Sequence, residues 1–367
     1  MESARVARGT AYIAVQNALQ YVTSLLFYVA ASRILTTEDV GRITLLNFTL
    51  TAFNVLTTFS IPVASAKFIS ESVGRGRFDE ASAASRTALT LVLAISLPSL
   101  ILASASSPWL SDTYFGTGGG AALFLITFAS AFLLNLTTLY GAEMRGLGMF
   151  AEMAAANIAF FLSSRLIGII LAWIGHGVLG VVSGWLTGAV ICLIISRYLL
   201  RGRLQAEGAK PFPKRLMINY SYPVFAHTAT GFIQSWADVV ILYAMTSDLA
   251  MEATYYLAAA GSTVLSILWM ALSMTVLPAI SARHGRGEGI GDLTEASTRL
   301  LNLTVMPIGL CLAAASRSAV TLAYGADYAK GAMPFAILTA TSIIQAYLAL
   351  FVATLEGIGE TRALMRV

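Results

Sequence analysis

Ten apolar segments, each long enough to cross a lipid bilayer, follow one another along the chain. A membrane-spanning helix needs about 20 mostly apolar residues. Segments of this kind lie at residues 10–32, 43–66, 86–108, 121–142, 153–174, 178–197, 218–244, 253–277, 299–316 and 331–355. A helix bonds every backbone N–H and C=O within a single segment, as the hydrocarbon core of a membrane requires. The sequence therefore predicts an all-α, polytopic integral membrane protein with about ten transmembrane helices.

The composition excludes an ordinary water-soluble domain and offers little for catalysis. Only 11% of the residues are charged and 57% are hydrophobic, whereas a soluble domain has about 25% charged residues. The sequence contains no Walker A, HExxH or GxSxG motif and only 3 histidines. Cys192 and Cys311 lie in apolar segments without a CxxC neighbour, which is typical of packed side chains. We therefore expect no enzymatic activity, no metal and no cofactor.

The basic residues predict the orientation of the chain and a boundary within it. If the N-terminus is cytoplasmic, 18 of the 23 Lys and Arg residues fall in inner loops and 4 in outer loops, as the positive-inside rule requires. This pattern predicts a multi-pass protein of the cytoplasmic (plasma) membrane. The longest basic loop follows the sixth segment and contains Gly and Pro residues. It predicts a six-helix N-terminal lobe, 1–205, and a C-terminal lobe, 206–367.

Parts of the first lobe recur in the second. The stretch from Ile61 to Lys67 and the stretch from Leu277 to Arg283 share one pattern, and each is followed by Gly-Arg-Gly. Six helices separate equivalent points, so the two repeats have the same orientation, a symmetry found in transporters. Since the first lobe continues for two further helices, we expect the C-terminal lobe, with four helices here, to lack two or more.

Several motifs, taken in order, resemble those of a known family. The stretch from Ala30 to Gly41 is similar to the signature that follows the first helix of polysaccharide flippases, and the stretch from Pro62 to Arg77 is similar to their next element. The second-half motifs are Tyr222-Pro223, Trp236-Ala-Asp238, Tyr255-Tyr-Leu-Ala258, Leu277-Pro278 and Tyr324-Gly-Ala-Asp-Tyr-Ala329. Together they resemble the polysaccharide biosynthesis, or oligosaccharide flippase, family of the multidrug/oligosaccharidyl-lipid/polysaccharide (MOP, MATE-like) exporter superfamily.

This resemblance implies a transporter with two lobes around a central cavity. Family members have twelve to fourteen helices and flip lipid-linked oligosaccharides between leaflets by alternating access. A drug/cation antiporter of the same superfamily is the alternative. A membrane-embedded glycan polymerase or ligase is less favoured, because the outer loops are short and have few polar residues. The implied partners are a lipid-linked glycan, membrane lipids and a coupling ion, H⁺ or Na⁺, but no nucleic acid, with a monomer as the transport unit.

Four polar residues are candidates for substrate binding: Arg165, Arg33, Asn54 and Gln234. Arg165 lies in the middle of a span, where an arginine costs about 2.5–3.5 kcal/mol on insertion scales. A guanidinium binds phosphate oxygens in a bidentate manner, which suits a lipid-linked sugar. The alternative is an arginine that binds backbone carbonyls between helices. Arg33 matches the flippase signature but could equally form a local ion pair, and Asn54 could simply join two helices.

Two further residues, Asp238 and His227, are candidates for ion coupling or for an ion pair. They lie three turns apart on one predicted helix, and Gln234 shares their face. A carboxylate within the membrane could bind H⁺ or Na⁺, or could pair with Arg165. The residue types alone leave both interpretations open.

Overall fold

The computed structural model describes residues 2–116, 118–204 and 211–358, and the regular elements of these residues are all helical. The predicted lobe boundary between residues 205 and 206 lies outside the described residues, as does the chain end at 359–367. The chain folds as two compact units, Met1–Ala253 and Thr254–Val367. The lobes predicted from the sequence stay a prediction.

The first unit is built from nine helices and the start of a tenth. These are α1 (Glu2–Ile34), α2 (Thr37–Thr58), α3 (Ile61–Gly74), α4 (Phe78–Ala105), α5 (Ser107–Phe115), α6 (Ala121–Gly146), α7 (Phe150–Leu171), α8 (Gly177–Leu200), α9 (Lys214–Thr246) and α10 (Leu249–Ser262). Helix α9 packs against α2, α3 and α4, and α8 packs against α6 and α7. Helix α6 also packs against α2, α3 and α4, so it lies in the interior of the unit.

The second unit contains the rest of α10 and five further helices. These are α11 (Val264–Gly285), α12 (Gly291–Leu303), α13 (Val305–Ala314), α14 (Ser316–Tyr324) and α15 (Ala332–Gly357). Helix α15 packs against α11, α13 and α14. Among the described residues, 6 helical stretches are long and apolar enough to cross a membrane, or 7 with α2 and α3 taken as one bent span. The prediction of an all-α, polytopic membrane protein is confirmed.

The second predicted span is a broken helix. Phe59 and Ser60, between α2 and α3, have φ values of 49° and 52° in the left-handed region, and the two helices are bent by 48°. This conformation costs roughly 1–2 kcal/mol for a residue other than glycine. Pro62 lies in the first turn of α3, where its missing N–H has no helical partner to lose. The proline therefore favours a new helix after the break.

Helices α7 and α8 approach each other closely along a row of small residues. Gly180, Gly184 and Gly188 follow one another at intervals of four on α8. A side chain built on Gly184 would lie 2.5 Å from the backbone of Gly168 on α7. Small residues at this spacing let membrane helices pack backbone against backbone. This contact closes α7 and α8 into a tight hairpin.

Both units repeat one order of elements and turns. Gly76 follows α3 with a φ of 73°, and Gly287 follows α11 with a φ of 70°. Gly116 ends α5 and Gly325 ends α14, with φ values of 65° and 111°. In each unit a short 3₁₀ turn then leads into a long helix, α6 or α15. Glycine suits these positions because it adopts positive φ without steric cost.

Candidate substrate and ion sites

Arg165 is bonded to the neighbouring helix α1. Its Nη1 donates a hydrogen bond of 2.9 Å to the carbonyl oxygen of Gln20 and another to the hydroxyl of Thr23. The guanidinium carbon lies 5.3 Å from the centre of the Phe161 ring, a cation–π distance. Arg165 also lines a mainly apolar cavity of about 280 Å³ between α1 and α7. These contacts are those of a helix-packing arginine, while substrate binding by Arg165 stays a prediction.

Arg33 does not belong to the same cluster as Arg165. It is exposed in the last turn of α1, ten residues beyond Thr23, which corresponds to about 15 Å along a helix. Near this end of α1, Arg42 forms ion pairs with Asp39 at 3.0 Å and with Glu38 at 3.9 Å. Arg33 and Arg165 are therefore not brought together as a joint phosphate site.

Asn54 takes part in a polar network that joins α2 to α6. Its Nδ2 donates to Oδ1 of Asn135 at 2.8 Å, and Nδ2 of Asn135 donates to the hydroxyl of Thr57 at 2.7 Å. The Thr57 hydroxyl in turn donates to the carbonyl of Phe53 at 2.6 Å. Asn135 is fully buried and Asn54 is half-buried. Each amide thus bonds across the helix contact, and binding of substrate by Asn54 stays a prediction.

The three candidate residues on α9 are exposed. They are His227, Gln234 and Asp238. One carboxylate oxygen of Asp238 accepts a hydrogen bond of 2.8 Å from the backbone N–H of Val239. The neighbouring side of this helix packs on α2, where the ring of Phe48 lies 5.6 Å from that of Trp236. Helix α9 therefore carries an apolar contact and a polar stripe, and the role of the stripe stays a prediction.

Glu252, in the first turn of α10, is an acidic residue that the sequence analysis did not single out. Its exposure is 0%, and neither carboxylate oxygen has a hydrogen-bond partner. Asp238 is close enough to act on it electrostatically. A buried carboxylate without donors is strongly disfavoured as an anion, so the neutral or cation-bound form is favoured. The residue was missed because the predicted span begins one position later, at 253.

No group of three or more His, Cys, Asp or Glu residues placed to hold a metal ion occurs within the described part of the chain. The buried carboxyl groups of the described residues instead occur singly. The other deeply buried acid in the first unit is Glu143, whose Oε1 accepts a hydrogen bond of 2.7 Å from Ser85. What these carboxyl groups can do chemically is take up and release a proton.

The sequence matches a family model described as polysaccharide biosynthesis protein over residues 6–284. The chain belongs to the polysaccharide biosynthesis protein family. The family suggested by the sequence motifs is thereby confirmed. No curated protein has a detectably similar sequence.

Solved structures of MATE transporters share the fold of this family member. One is an inward-facing multidrug resistance MATE transporter of the MOP superfamily, with a TM-score of 0.70 and 14% identity over 93% of this chain and 81% of that one. A MATE structure in a straight conformation gives 0.63 and 14% over 97% and 82%. A variant of the Vibrio cholerae MATE transporter VcmN gives 0.62 and 13% over 98% and 84%. At these identities the similarity shows the fold, which is that of a multi-pass membrane protein.

Proposed function

We propose that the protein flips a lipid-linked oligosaccharide across the cytoplasmic membrane by alternating access, with its N-terminus in the cytoplasm and one chain as the transport unit. The family match over residues 6–284 carries this proposal, because it joins a polysaccharide biosynthesis family to a fold known from transporters. A glycan phosphate cannot cross the hydrocarbon core unaided, since its polar groups would lose their hydrogen bonds. A polar path through a helical protein removes that cost.

Asp238 and Glu252 support ion coupling of this transport. One carboxyl is exposed on α9 and the other is buried without donors on α10, and the two interact electrostatically. Two nearby carboxylates favour the binding of a proton or a cation over two free negative charges. Loss of the ion would restore repulsion between them and favour a different arrangement of α9 and α10. A H⁺ or Na⁺ gradient would act through this step.

Drug/cation antiport is the second candidate function. The observation that favours it is the fold similarity to a multidrug resistance MATE transporter, with a TM-score of 0.70. The acidic pair described above would suit a cationic drug as well as a coupling ion. The two functions differ in the charge of the transported substrate, because a lipid-linked sugar contains an anionic phosphate and the drug is a cation.

A complementation experiment separates the two functions. The full-length protein would be expressed in a strain that lacks its own oligosaccharide flippase, and surface glycan and tolerance to cationic drugs would both be measured. We expect surface glycan to be restored and drug tolerance to be unchanged. Increased drug tolerance without surface glycan would overturn the flippase proposal in favour of antiport.

Three variants test Arg165 in the same strain. Arg165→Ala removes both the charge and the bonds to α1, whereas Thr23→Val removes one of those bonds and leaves the charge. Arg317→Ala, at an exposed arginine, controls for loss of a positive charge. If Arg165 binds substrate phosphate, only Arg165→Ala abolishes flipping at normal protein levels. Full activity of Arg165→Ala, or an equal loss in Thr23→Val, would refute a phosphate-binding role.

Glu252→Gln tests the coupling step in proteoliposomes. Glutamine has the shape of a protonated glutamic acid but cannot lose a proton. We expect this variant to fold and to lose the stimulation of transport by an imposed H⁺ or Na⁺ gradient. Glu295→Gln, which changes an exposed carboxylate on α12, is the matched control. Gradient stimulation that survives in Glu252→Gln would exclude Glu252 from coupling.

A further inference from the structure

A basic cavity lies at the membrane end where α4 begins and where α6 and α8 end. Its volume is about 670 Å³, and three arginines line it: Arg86 on α4, Arg197 on α8 and Arg201 directly after α8. Tyr140 and Tyr198 complete the polar part of the wall. Sites of about 300–1,000 Å³ accommodate small ligands or headgroups. The cavity belongs to the first unit alone and does not include the candidate residues Arg165, Asn54 or Asp238.

The charges around this cavity favour an anion. Glu143 also lines it, but this residue is only 2% exposed, and one of its carboxylate oxygens accepts the Ser85 hydrogen bond of 2.7 Å. Arg197 and Arg201, in contrast, are exposed. Nη1 of Arg197 donates to the Tyr140 hydroxyl at 3.5 Å, a long contact that keeps both groups on one wall. Among the described lining residues, the arginines outnumber the one carboxyl group, which is buried, and guanidinium groups bind phosphate oxygens in a bidentate manner.

An apolar stripe on α8 leads to the same cavity. Val190, Ile194 and Tyr198 follow one another at intervals of four, so they share one face of the helix. Ile194 is 64% exposed and Tyr198 is 74% exposed. Both residues line the cavity as well. Tyrosines are typical of the membrane–water interface, so we expect Tyr198 at headgroup level, with Val190 and Ile194 towards the hydrocarbon region.

We propose that this cavity binds the phosphate headgroup of an anionic phospholipid, with an acyl chain lying along Val190 and Ile194. The basic cavity and the apolar stripe match the two halves of one lipid molecule, and free phosphate would use only the first. Basic pockets between transmembrane helices are suited to anionic headgroups. The proposal does not rest on the proposed function, because none of the residues proposed for transport lines this cavity.

Lipid binding to the purified full-length chain tests the proposal. The protein in detergent would be titrated with phosphatidylglycerol, with phosphatidylcholine and with inorganic phosphate, and bound lipid would be counted by native mass spectrometry alongside the unfolding temperature. We expect phosphatidylglycerol alone to bind saturably and to raise the unfolding temperature. Inorganic phosphate that competes with phosphatidylglycerol at equal concentration would assign the cavity to a free anion and overturn the lipid proposal.

Two double variants of equal charge locate the site. Arg197→Gln with Arg201→Gln changes the cavity, and Arg75→Gln with Arg299→Gln changes two exposed arginines elsewhere. We expect the first pair to weaken phosphatidylglycerol binding about tenfold or more and the second to leave it nearly unchanged, because each basic residue contributes separately to anionic lipid binding. Equal affinities in the two double variants would overturn the proposal.

The apolar half of the site is tested by Ile194→Gln, which keeps every arginine. We expect this variant to bind phosphatidylglycerol more weakly but to retain the ionic-strength dependence of binding. Should the cavity double variant fail to fold, Arg201→Gln alone carries the same test, because Arg201 is exposed at the end of α8. Unchanged binding in both Ile194→Gln and Arg201→Gln would exclude the cavity as the lipid site.

Discussion

Replacement of Gly184 by alanine should weaken the contact between α7 and α8. The new Cβ would lie 2.5 Å from Cα and N of Gly168 and 2.5 Å from the carbonyl oxygen of Ser164. Carbon atoms in contact are normally about 3.5–4.0 Å apart, so the two backbones would have to separate by roughly 1 Å. No flexible side chain can yield in their place. Overpacking of this kind costs about 1–3 kcal/mol.

The alanine itself also changes helix propensity, and a matched variant removes that effect. Gly231 lies within α9, and a Cβ added there would meet nothing within 4 Å. The change in stability of Gly231→Ala therefore measures helix propensity alone, which favours alanine over glycine by about 1 kcal/mol. Gly168→Ala is intermediate, because its Cβ would lie 3.4 Å from the backbone of Val181. The difference between Gly184→Ala and Gly231→Ala isolates the packing cost.

Denaturant unfolding in detergent micelles, followed by circular dichroism, measures these differences. We expect the free energy of unfolding to fall in the order Gly231→Ala, Gly168→Ala, Gly184→Ala, with about 1–3 kcal/mol between the first and the last. Equal stabilities of Gly184→Ala and Gly231→Ala would show that the two backbones are not in contact, and the reasoning from the small-residue row would be refuted.

Three further substitutions have distinct expected effects on unfolding, which the same micelle assay measures. Asn135→Ala removes the centre of the network with Asn54 and should cost about 0.6–1.7 kcal/mol, the range measured for bonds between membrane helices. Ser60→Gly should be more stable than Ser60→Ala by roughly 1 kcal/mol, because both variants lose the hydroxyl bonded to Thr228 and only glycine adopts left-handed φ without strain; equal stabilities of the two variants would argue against strain there. Gly41→Ala should destabilise, since its Cβ would press on the backbone carbonyl of Leu249, and a neutral result would contradict that close approach.

The positions of the helices could be predicted because the membrane imposes length and hydrophobicity together. The breaks within spans were harder to predict. The segment 43–66 reads as one span, yet the chain breaks at Phe59 and Ser60. Pro62 gave a local signal, but proline in the first turn is compatible with a break or with a kink. The left-handed conformation of two residues depends on tertiary packing, such as the stacking of Phe59 on Phe225 at 4.5 Å, and a single sequence does not contain it.

The row of glycines on α8 shows the opposite case. Gly180, Gly184 and Gly188 stand at intervals of four in the printed sequence, and this spacing indicates a close helix contact. The spacing does not predict which helix is the partner, because the three glycines lie on only one of the two helices in contact. The arginine cavity was hidden for a similar reason. Arg86 and Arg197 are far apart in the chain. The positive-inside rule already accounted for arginines in the inner loops, so nothing in the sequence indicated that these two line one cavity.

The role of Arg165 illustrates why residue type and depth do not decide function in this fold. An arginine has five N–H donors, and the two hydrogen bonds to Gln20 and Thr23 both start from Nη1. These two bonds hold α1 against α7. A positive charge in the middle of a span suits helix packing and phosphate binding alike, so neither the residue type nor its depth in the membrane distinguishes the two roles. The comparison of Arg165→Ala with Thr23→Val distinguishes the two roles. A phosphate-binding arginine predicts that only Arg165→Ala stops transport while the protein remains folded, whereas a helix-packing arginine predicts similar losses in both variants.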